Sequence, residues 1–442
     1  MIRPLQNLPL FVLILPTLAL AQQPPMWTLD EAYARAIHNH PTVLQAVARL
    51  ESAQAQVAVA RNPWLPTANF DANHQELSGN NPTRAGAQVN RDIVAQYGLN
   101  PYWQTSLQVK WTVWDFGKTF ANMEAARDNA QAADLDVRAA RTQLWQGIAQ
   151  SWLAVMAADA ALKVLQAAQE QLARQRDAVK TQVSVRARPE IDLLKAEADV
   201  AAAEGDVLRA EDLARSQRLA LGVAVGEAQV PNLPLPAPIF DLQVAQDAAL
   251  DDEKKLGELL TLAVQNRPEF AALRARIAAL QAAALAADRA MRPSFYVTGQ
   301  TSLQGLELSA LAFNYGVIFG VSMPISTFWT QPPQVADAEA QVRALAANQD
   351  AQVLTLRGQI NQALSTLVQA RKRVPVARTQ AAYAERARDA ANLRYKAGAG
   401  LWLEVADAQT GVVKAQLAVI QAELDVQVGA AQLAYAIGRV KL

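Results

Sequence analysis

Residues 29–41 read LDEAYARAIHNHP, and residues 256–268 read LGELLTLAVQNRP. Leu29, Glu31, Ala36, Asn39 and Pro41 thus recur 227 residues later as Leu256, Glu258, Ala263, Asn266 and Pro268. The match extends to Pro66 and Pro293, each 25 residues beyond the proline that opens its copy. Between those prolines small apolar residues fall at helical spacing, and beyond the second proline the pattern alternates. A repeat this long is a duplicated domain, not a solenoid of short units. The spacing predicts repeats at 22–222 and 256–442, joined by a linker at 223–255 that carries Pro231, Pro234, Pro236 and Pro238.

The alternating segments pair as 65–75 with 103–113 and 294–304 with 313–323. Trp103, Thr105, Leu107, Val109, Trp111 and Val113 lie on one face, and Gln104, Ser106, Gln108, Lys110 and Thr112 on the other. Phe313, Tyr315, Val317, Phe319, Val321 and Met323 repeat that apolar face. Segments of about ten residues with one apolar face match transmembrane strands. A soluble sandwich would share the alternation, but two strand pairs are too few for its core. Five of the nine tryptophans (Trp64, Trp103, Trp111, Trp114, Trp329) lie in or beside these segments, where an interfacial aromatic girdle needs them. A polar stretch with Gly79, Asn80, Asn81, Pro82 and Gly86 reads as a long loop between the first pair. Four strands cannot close a barrel, and an open edge cannot face lipid. The chain must therefore associate, and three copies give about 12 strands, an even number in the known range.

The segments between are long helices. Lys118 to Val185 holds no proline and one glycine, Gly147. At about 1.5 Å per residue it reaches roughly 100 Å. Leu144, Ile148, Trp152, Val155 and Leu162 mark its apolar seam. A return helix runs from Pro189 to Leu221. The second copy repeats the plan over Gln334 to Lys396 and Leu401 to Ile437. Each long helix is expected to lie against two shorter ones stacked in line. Pro375 breaks the symmetry, standing where the first copy has Lys163, and is expected to kink or interrupt its helix.

Bulk composition narrows the classes. The 41 basic and 41 acidic residues balance, so no nucleic-acid groove is implied. Cysteine is absent, which removes disulfides, thiolate metal sites and a lipoprotein acylation site. Arg3, the apolar run Leu8–Leu20 and Ala19-Leu20-Ala21 form a secretory signal over residues 1–21. Beyond it no apolar run is expected to cross a membrane as a helix, so a membrane position implies a barrel. His38-Asn39-His40 lacks a supporting carboxylate or cysteine cluster and reads as a structural corner. No phosphate loop, nucleophile elbow or acid–base pair points to an enzyme, a cofactor or a metal.

Several motifs then add a resemblance. They are the paired openings Asn39-His40-Pro41 and Asn266-Arg267-Pro268, and the strand-starting Pro66 and Pro293. To these add the turn Trp111-Thr112-Val113-Trp114-Asp115-Phe116-Gly117, and Arg394-Tyr395-Lys396-Ala397-Gly398 followed by Leu403-Glu404-Val405-Ala406-Asp407-Ala408-Gln409. In order and in duplicate they resemble the TolC-like outer-membrane efflux proteins over nearly all of the mature sequence. The resemblance implies a transmembrane β-barrel plus a long α-helical barrel, built from duplicated halves with four strands per chain. It implies a homotrimer, with the barrel in outer-membrane lipid and a helical tunnel in the periplasm of a Gram-negative cell. Partners would be a periplasmic adaptor and an inner-membrane pump or transporter. Cargo would be small toxic compounds such as drugs or metal ions. A type I protein-secretion duct shares the architecture. From another class, a periplasmic coiled-coil scaffold or adaptor fits the helices but has no use for the amphipathic strands.

The resemblance places Glu404 and Asp407 among carboxylates ringing the periplasmic mouth, with Asp192 as the first-copy counterpart of Glu404. Glu404 and Asp407 share a helix face, and three copies of each would favour cations. The plain alternative is a solvated helix face. The turns Arg186, Ala187, Arg188 and Gly398, Ala399, Gly400, Leu401 are expected to dock the adaptor. Arg186 and Arg188 are candidates for a closed-state latch through inter-hairpin arginine–carboxylate bonds, against simple solvent exposure. Arg186 stands where the second hairpin has Gly398, so the first hairpin is expected to turn differently. Met323-Pro324-Ile325-Ser326-Thr327-Phe328 keeps the proline of the second strand-to-helix turn but lacks its Asp-Gly.

Overall fold

The computed structural model describes residues 27–78, 99–227, 235–236, 253–305, 308–325 and 333–439. The signal segment, the loop from Gly79, Trp329, Ser326-Thr327-Phe328 and Pro231, Pro234 and Pro238 lie outside the described residues.

Each half opens with a helix pair broken at the Asn-x-Pro motif. The first pair is α1 (Leu29–Asn39) and α2 (Pro41–Arg61), and the second is α5 (Glu253–Asn266) and α6 (Pro268–Arg289). Proline at the first helical position starts α2 and α6, its missing N–H being one that no helix start would use. Thr28 and Glu31 form a reciprocal capping box at α1. His40 Nδ1 accepts from the Thr42 backbone N–H at 3.3 Å, a cap for α2 and the structural role expected of that corner. Then come β1 (Thr67–Ser78), β2 (Leu99–Trp114), α3 (Lys118–Ser184) and α4 (Glu190–Val225). The second half follows with β3 (Ser294–Gly305), β4 (Ala312–Ser322), α7 (Pro333–Lys396) and α8 (Trp402–Ala436). The strands of the first pair run a few residues longer than the alternation alone indicated.

All four strands form one antiparallel sheet in the order β1-β2-β3-β4. Cross-strand partners share a face. Phe70 stands opposite Leu107, Leu107 opposite Thr301, and Thr301 opposite Tyr315. Among the described residues that face is apolar and uncovered: Tyr315 is 82% and Phe319 79% exposed. One irregularity interrupts the ladder. Thr112 pairs with Tyr296 and Trp114 with Phe295, so two steps on β2 answer one on β3. The bulge brings Trp114 onto the face of Trp111 and Phe295.

The long helix α3 lies against α2 and α4, and also against α6 and α8 of the other half; α7 lies against α6 and α8. The two cores repeat each other. Leu144, Ile148, Trp152 and Val155 of α3 are buried, and their counterparts Leu356, Ile360, Leu364 and Leu367 of α7 are buried as well. Leu162 is only partly buried. Trp152 adds a polar tie, its indole N–H donating to the Pro236 carbonyl at 3.1 Å.

Two expectations are corrected. Of the expected kink or interruption at Pro375, the interruption does not occur: α7 continues through it to Lys396. On either side of the proline Arg373 pairs with Asp425 and Arg378 with Glu423 of α8, and packing on that helix holds the turn where the proline removes one bond. Two helices, α3 and α6, also pass by length and composition for membrane-crossing segments, with windows of mean hydropathy 1.4 and 1.3. Their alanines and aliphatic residues score as apolar but serve close helix packing: both run along other helices and end at the sheet.

Candidate functional site

At the end of the helices remote from the sheet, two turns meet. The first joins α3 to α4 and the second joins α7 to α8. Both helices finish in the same motif. In the second, Ala399 N–H donates to the Arg394 carbonyl at 2.9 Å and Gly398 N–H to the Tyr395 carbonyl at 3.0 Å. In the first, Ala187 N–H donates to the Gln182 carbonyl at 2.8 Å and Arg186 N–H to the Val183 carbonyl at 2.9 Å. Gly398 sits at φ 77° and Arg186 at φ 58°. The first hairpin therefore turns as the second does, against expectation. The capping bonds outweigh the steric cost of a left-handed arginine.

The hairpins are bound to one another. Val179 of α3 and Ala196 of α4 pack with Tyr395, Trp402 and Val405 of the second hairpin in a small buried cluster. The rings of Tyr395 and Trp402 meet edge-on, 5.5 Å between centroids. The Tyr395 hydroxyl donates to Asp192 Oδ2 at 3.1 Å, and the Trp402 indole N–H donates to Asp199 Oδ2 at 3.1 Å. Arg188 reaches across from the first turn. Its guanidinium lies 4.2 Å from the Tyr395 ring centroid and donates to the Tyr395 carbonyl. A cation there also complements the C-terminal end of the α7 dipole. Burial pushes the Tyr395 hydroxyl up to about 12; the Asp192 charge and hydrogen bond add to this, and Arg188 opposes it.

The other candidate residues sort by position. Glu404 pairs with Arg394 of its own hairpin at 3.5 Å. Asp407 lies exposed one turn further along α8 and has no ion pair among the described residues. Arg188 crosses between hairpins, but to a carbonyl oxygen and an aromatic face; no carboxylate lies within ion-pair distance of it or of Arg186 among the described residues. Ala187, Ala399 and Leu401 cap the exposed tip, with Gly400 only partly covered. Sequence reasoning assigned no role to Tyr395, Trp402 or Asp199. Only the acids carried a signal, Asp192 and Asp199 being seven apart on one stripe of α4; Tyr395 and Trp402 belong to different helices, where spacing along the chain says nothing of a shared face. No group of three or more His, Asp or Glu suited to a metal occurs among the described residues.

Residues 32–227 and 259–439 match the model of the outer membrane efflux protein family. One relative is the pyoverdine export outer membrane protein OpmQ of Pseudomonas aeruginosa, 24% identical over 90% of this chain and 82% of its own. Among solved structures, CusC superposes with a TM-score of 0.76 at 18% identity, covering 95% of each chain. The outer-membrane channel OprN gives 0.74 at 20% identity, over 93% of this chain and 89% of that one. VceC of Vibrio cholerae gives 0.75 at 19% identity, over 93% and 96%.

Proposed function

The chain belongs to the outer membrane efflux protein family, and from that premise we propose that it is the passive exit duct of a tripartite efflux system. It is a Gram-negative outer-membrane channel protein that extends into the periplasm. In this reading three copies close the barrel, and an inner-membrane pump supplies the energy through a periplasmic adaptor. Cargo is small toxic compounds, drugs or metal ions. The OpmQ relative, named for pyoverdine export, favours efflux over type I protein secretion.

The observation that supports the reading is the direct contact between the two hairpins at the end of the helices: Tyr395 on Asp192 and Trp402 on Asp199. Such a contact resists parting, and a mouth needs a barrier of this kind. Glu404, Asp407 and Asp192, repeated around a three-fold axis, would give rings of negative charge there that favour cations. Arg186 and Arg188 are the proposed latch, with Arg188 acting on the C-terminal end of α7. The exposed turns 186–188 and 398–401 are the proposed adaptor surface.

The test is in-cell photocrosslinking from Ala187, Ala399 and Leu401, one position at a time, with identification of what is captured. A periplasmic adaptor of an efflux pump is the expected product. Capture of a secretion-ATPase adaptor would move the assignment to type I secretion. An absence of periplasmic product from all three positions would reject the tripartite reading.

A further inference from the structure

At the other end of the helices the sheet meets a recess that the duct function does not use. It measures about 560 Å³ and is walled by Trp64, Trp111, Trp114, Phe116, Phe120 and Arg289. Three local features build it. The β2 bulge turns Trp114 outward beside Phe295. Phe116 packs edge-on to Trp114, 6.1 Å between centroids, and lies 6.4 Å from Phe295. The Trp111 indole N–H donates to the Trp64 carbonyl at 3.0 Å, fixing the 3-10 turn Asn62–Trp64 against β2.

The floor of the recess is cationic. Arg289 Nη1 donates to the Gly117 carbonyl at 3.0 Å, while Arg289 Nε is buried with no partner among the described residues. A side chain at Gly117 would stand 2.8 Å from Nη1, so this glycine leaves room for the guanidinium. The nearby carboxylate is otherwise engaged. Asp115 Oδ1 accepts from the Gly117 N–H at 3.0 Å and Oδ2 from the Thr119 N–H at 2.8 Å. Asp115 and Arg289 thus both line the recess without an ion pair between them, and the guanidinium lies beneath a wall of aromatic rings.

We propose that this recess binds one glycerophospholipid of the periplasmic leaflet. The phosphodiester lies on the Arg289 guanidinium, and the first acyl segments lie against Trp111, Trp114 and Phe116. Planar guanidinium donors suit a phosphate oxygen pair, and indole and phenyl rings sit by preference at headgroup depth. A second copy of the chain is not the occupant. Most of the wall comes from β2 and the turn 115–117, with Trp64 on the β1 side, whereas in the proposed trimer a neighbouring copy pairs along the open edges β1 and β4. The inference rests on the sheet lying in the membrane.

The test uses the full-length protein in nanodiscs containing phosphatidylglycerol and phosphatidylethanolamine, released into mild detergent for native mass spectrometry. Wild type is expected to keep one phospholipid per chain, with at least tenfold weaker retention in Arg289→Gln and partial recovery in Arg289→Lys. Trp114→Ala, which leaves the guanidinium in place, is expected to weaken retention less. Diacylglycerol, which lacks the phosphate, is expected not to compete. Equal retention in wild type and Arg289→Gln would overturn the proposal, and so would effective competition by diacylglycerol. If Arg289→Gln does not assemble, the diacylglycerol competition on wild type decides alone. Wild-type protein that fails to enter nanodiscs would instead indict the membrane position of the sheet.

Discussion

The left-handed arginine at position 186 shows what a single residue contributes to the mouth. Gly398 and Arg186 close equivalent turns with the same two capping bonds, but only glycine takes this conformation without steric cost. A side chain there costs about 1–2 kcal/mol, and glycine returns about 0.5–1 kcal/mol of that through greater unfolded-chain freedom. Arg186→Gly should therefore stabilise the first turn by up to about 1 kcal/mol. Amide exchange at Ala187 should slow several-fold, and unchanged exchange would show that the turn is not held by its backbone. Tyr395 is the second case. Tyr395→Phe removes a hydrogen bond to a carboxylate, a loss of about 1.5–3 kcal/mol, and should raise single-channel conductance in planar bilayers at neutral pH. The hydroxyl titrates at about 12 when packed and near 10 once the hairpins part. Its contribution is thus complete below about pH 10 and is lost as pH climbs through the packed value. Wild-type conductance should rise over that window, and Tyr395→Phe should lack the rise. The exchange of Gly398 for Arg186 was legible in the sequence. The Tyr395–Asp192 contact was not, because it joins residues 203 apart on different helices.

Glycines within α8 separate packing from propensity at the scale of the element. Gly429 faces α7, and a Cβ there would lie 3.1 Å from Leu367 Cα and 3.2 Å from its backbone nitrogen. Backbone cannot swing aside as a flexible side chain can. Gly429→Ala is expected to cost about 1–3 kcal/mol by overpacking and to lower the thermal midpoint of the assembled protein. Gly411 of the same helix has open space around it. Gly411→Ala should do the reverse, gaining up to about 1 kcal/mol from helix propensity. If both changes shifted stability alike, close approach of α7 and α8 would not be what Gly429 provides. The long helices and their buried stripe were legible because duplication doubled the signal: Leu144, Ile148 and Val155 announce the stripe that Leu356, Ile360 and Leu367 repeat. The continuity of α7 through Pro375 was not legible. Proline's local cost is fixed by its ring, while the packing that overrides it belongs to neighbours far along the chain. The β2 bulge escaped for a related reason. Alternation ends at Val113, and only pairing with β3 shows that Trp114 returns to the outer face.

The shape of the whole molecule follows from what one chain leaves undone. Among the described residues its sheet ends in two unpaired edges, β1 and β4, and nothing covers its apolar face. Lipid can cover the face, but the edges need another strand, since bare backbone N–H and C=O groups are not tolerated in hydrocarbon. Joining β4 of one copy to β1 of the next is a head-to-tail contact, which closes into a ring or grows into a filament. Three copies are expected to close it. The natural absence of cysteine makes the test clean. Following the ladder, Asn69, Gln108, Gln300 and Gly316 stand at one height on one face. Asn69→Cys should therefore be combined in turn with Ala312→Cys, Asn314→Cys, Gly316→Cys, Ile318→Cys, Gly320→Cys and Ser322→Cys, which sample the stagger between copies along that same face. Neighbouring strands bring opposed Cα atoms to about 5 Å, within disulfide reach. At least one combination should give an intermolecular ladder of two and three chains on a non-reducing gel, and neither parent single variant should do so. A ladder running past three would mean an open filament, and no ladder from any combination would mean that β1 and β4 do not close the wall.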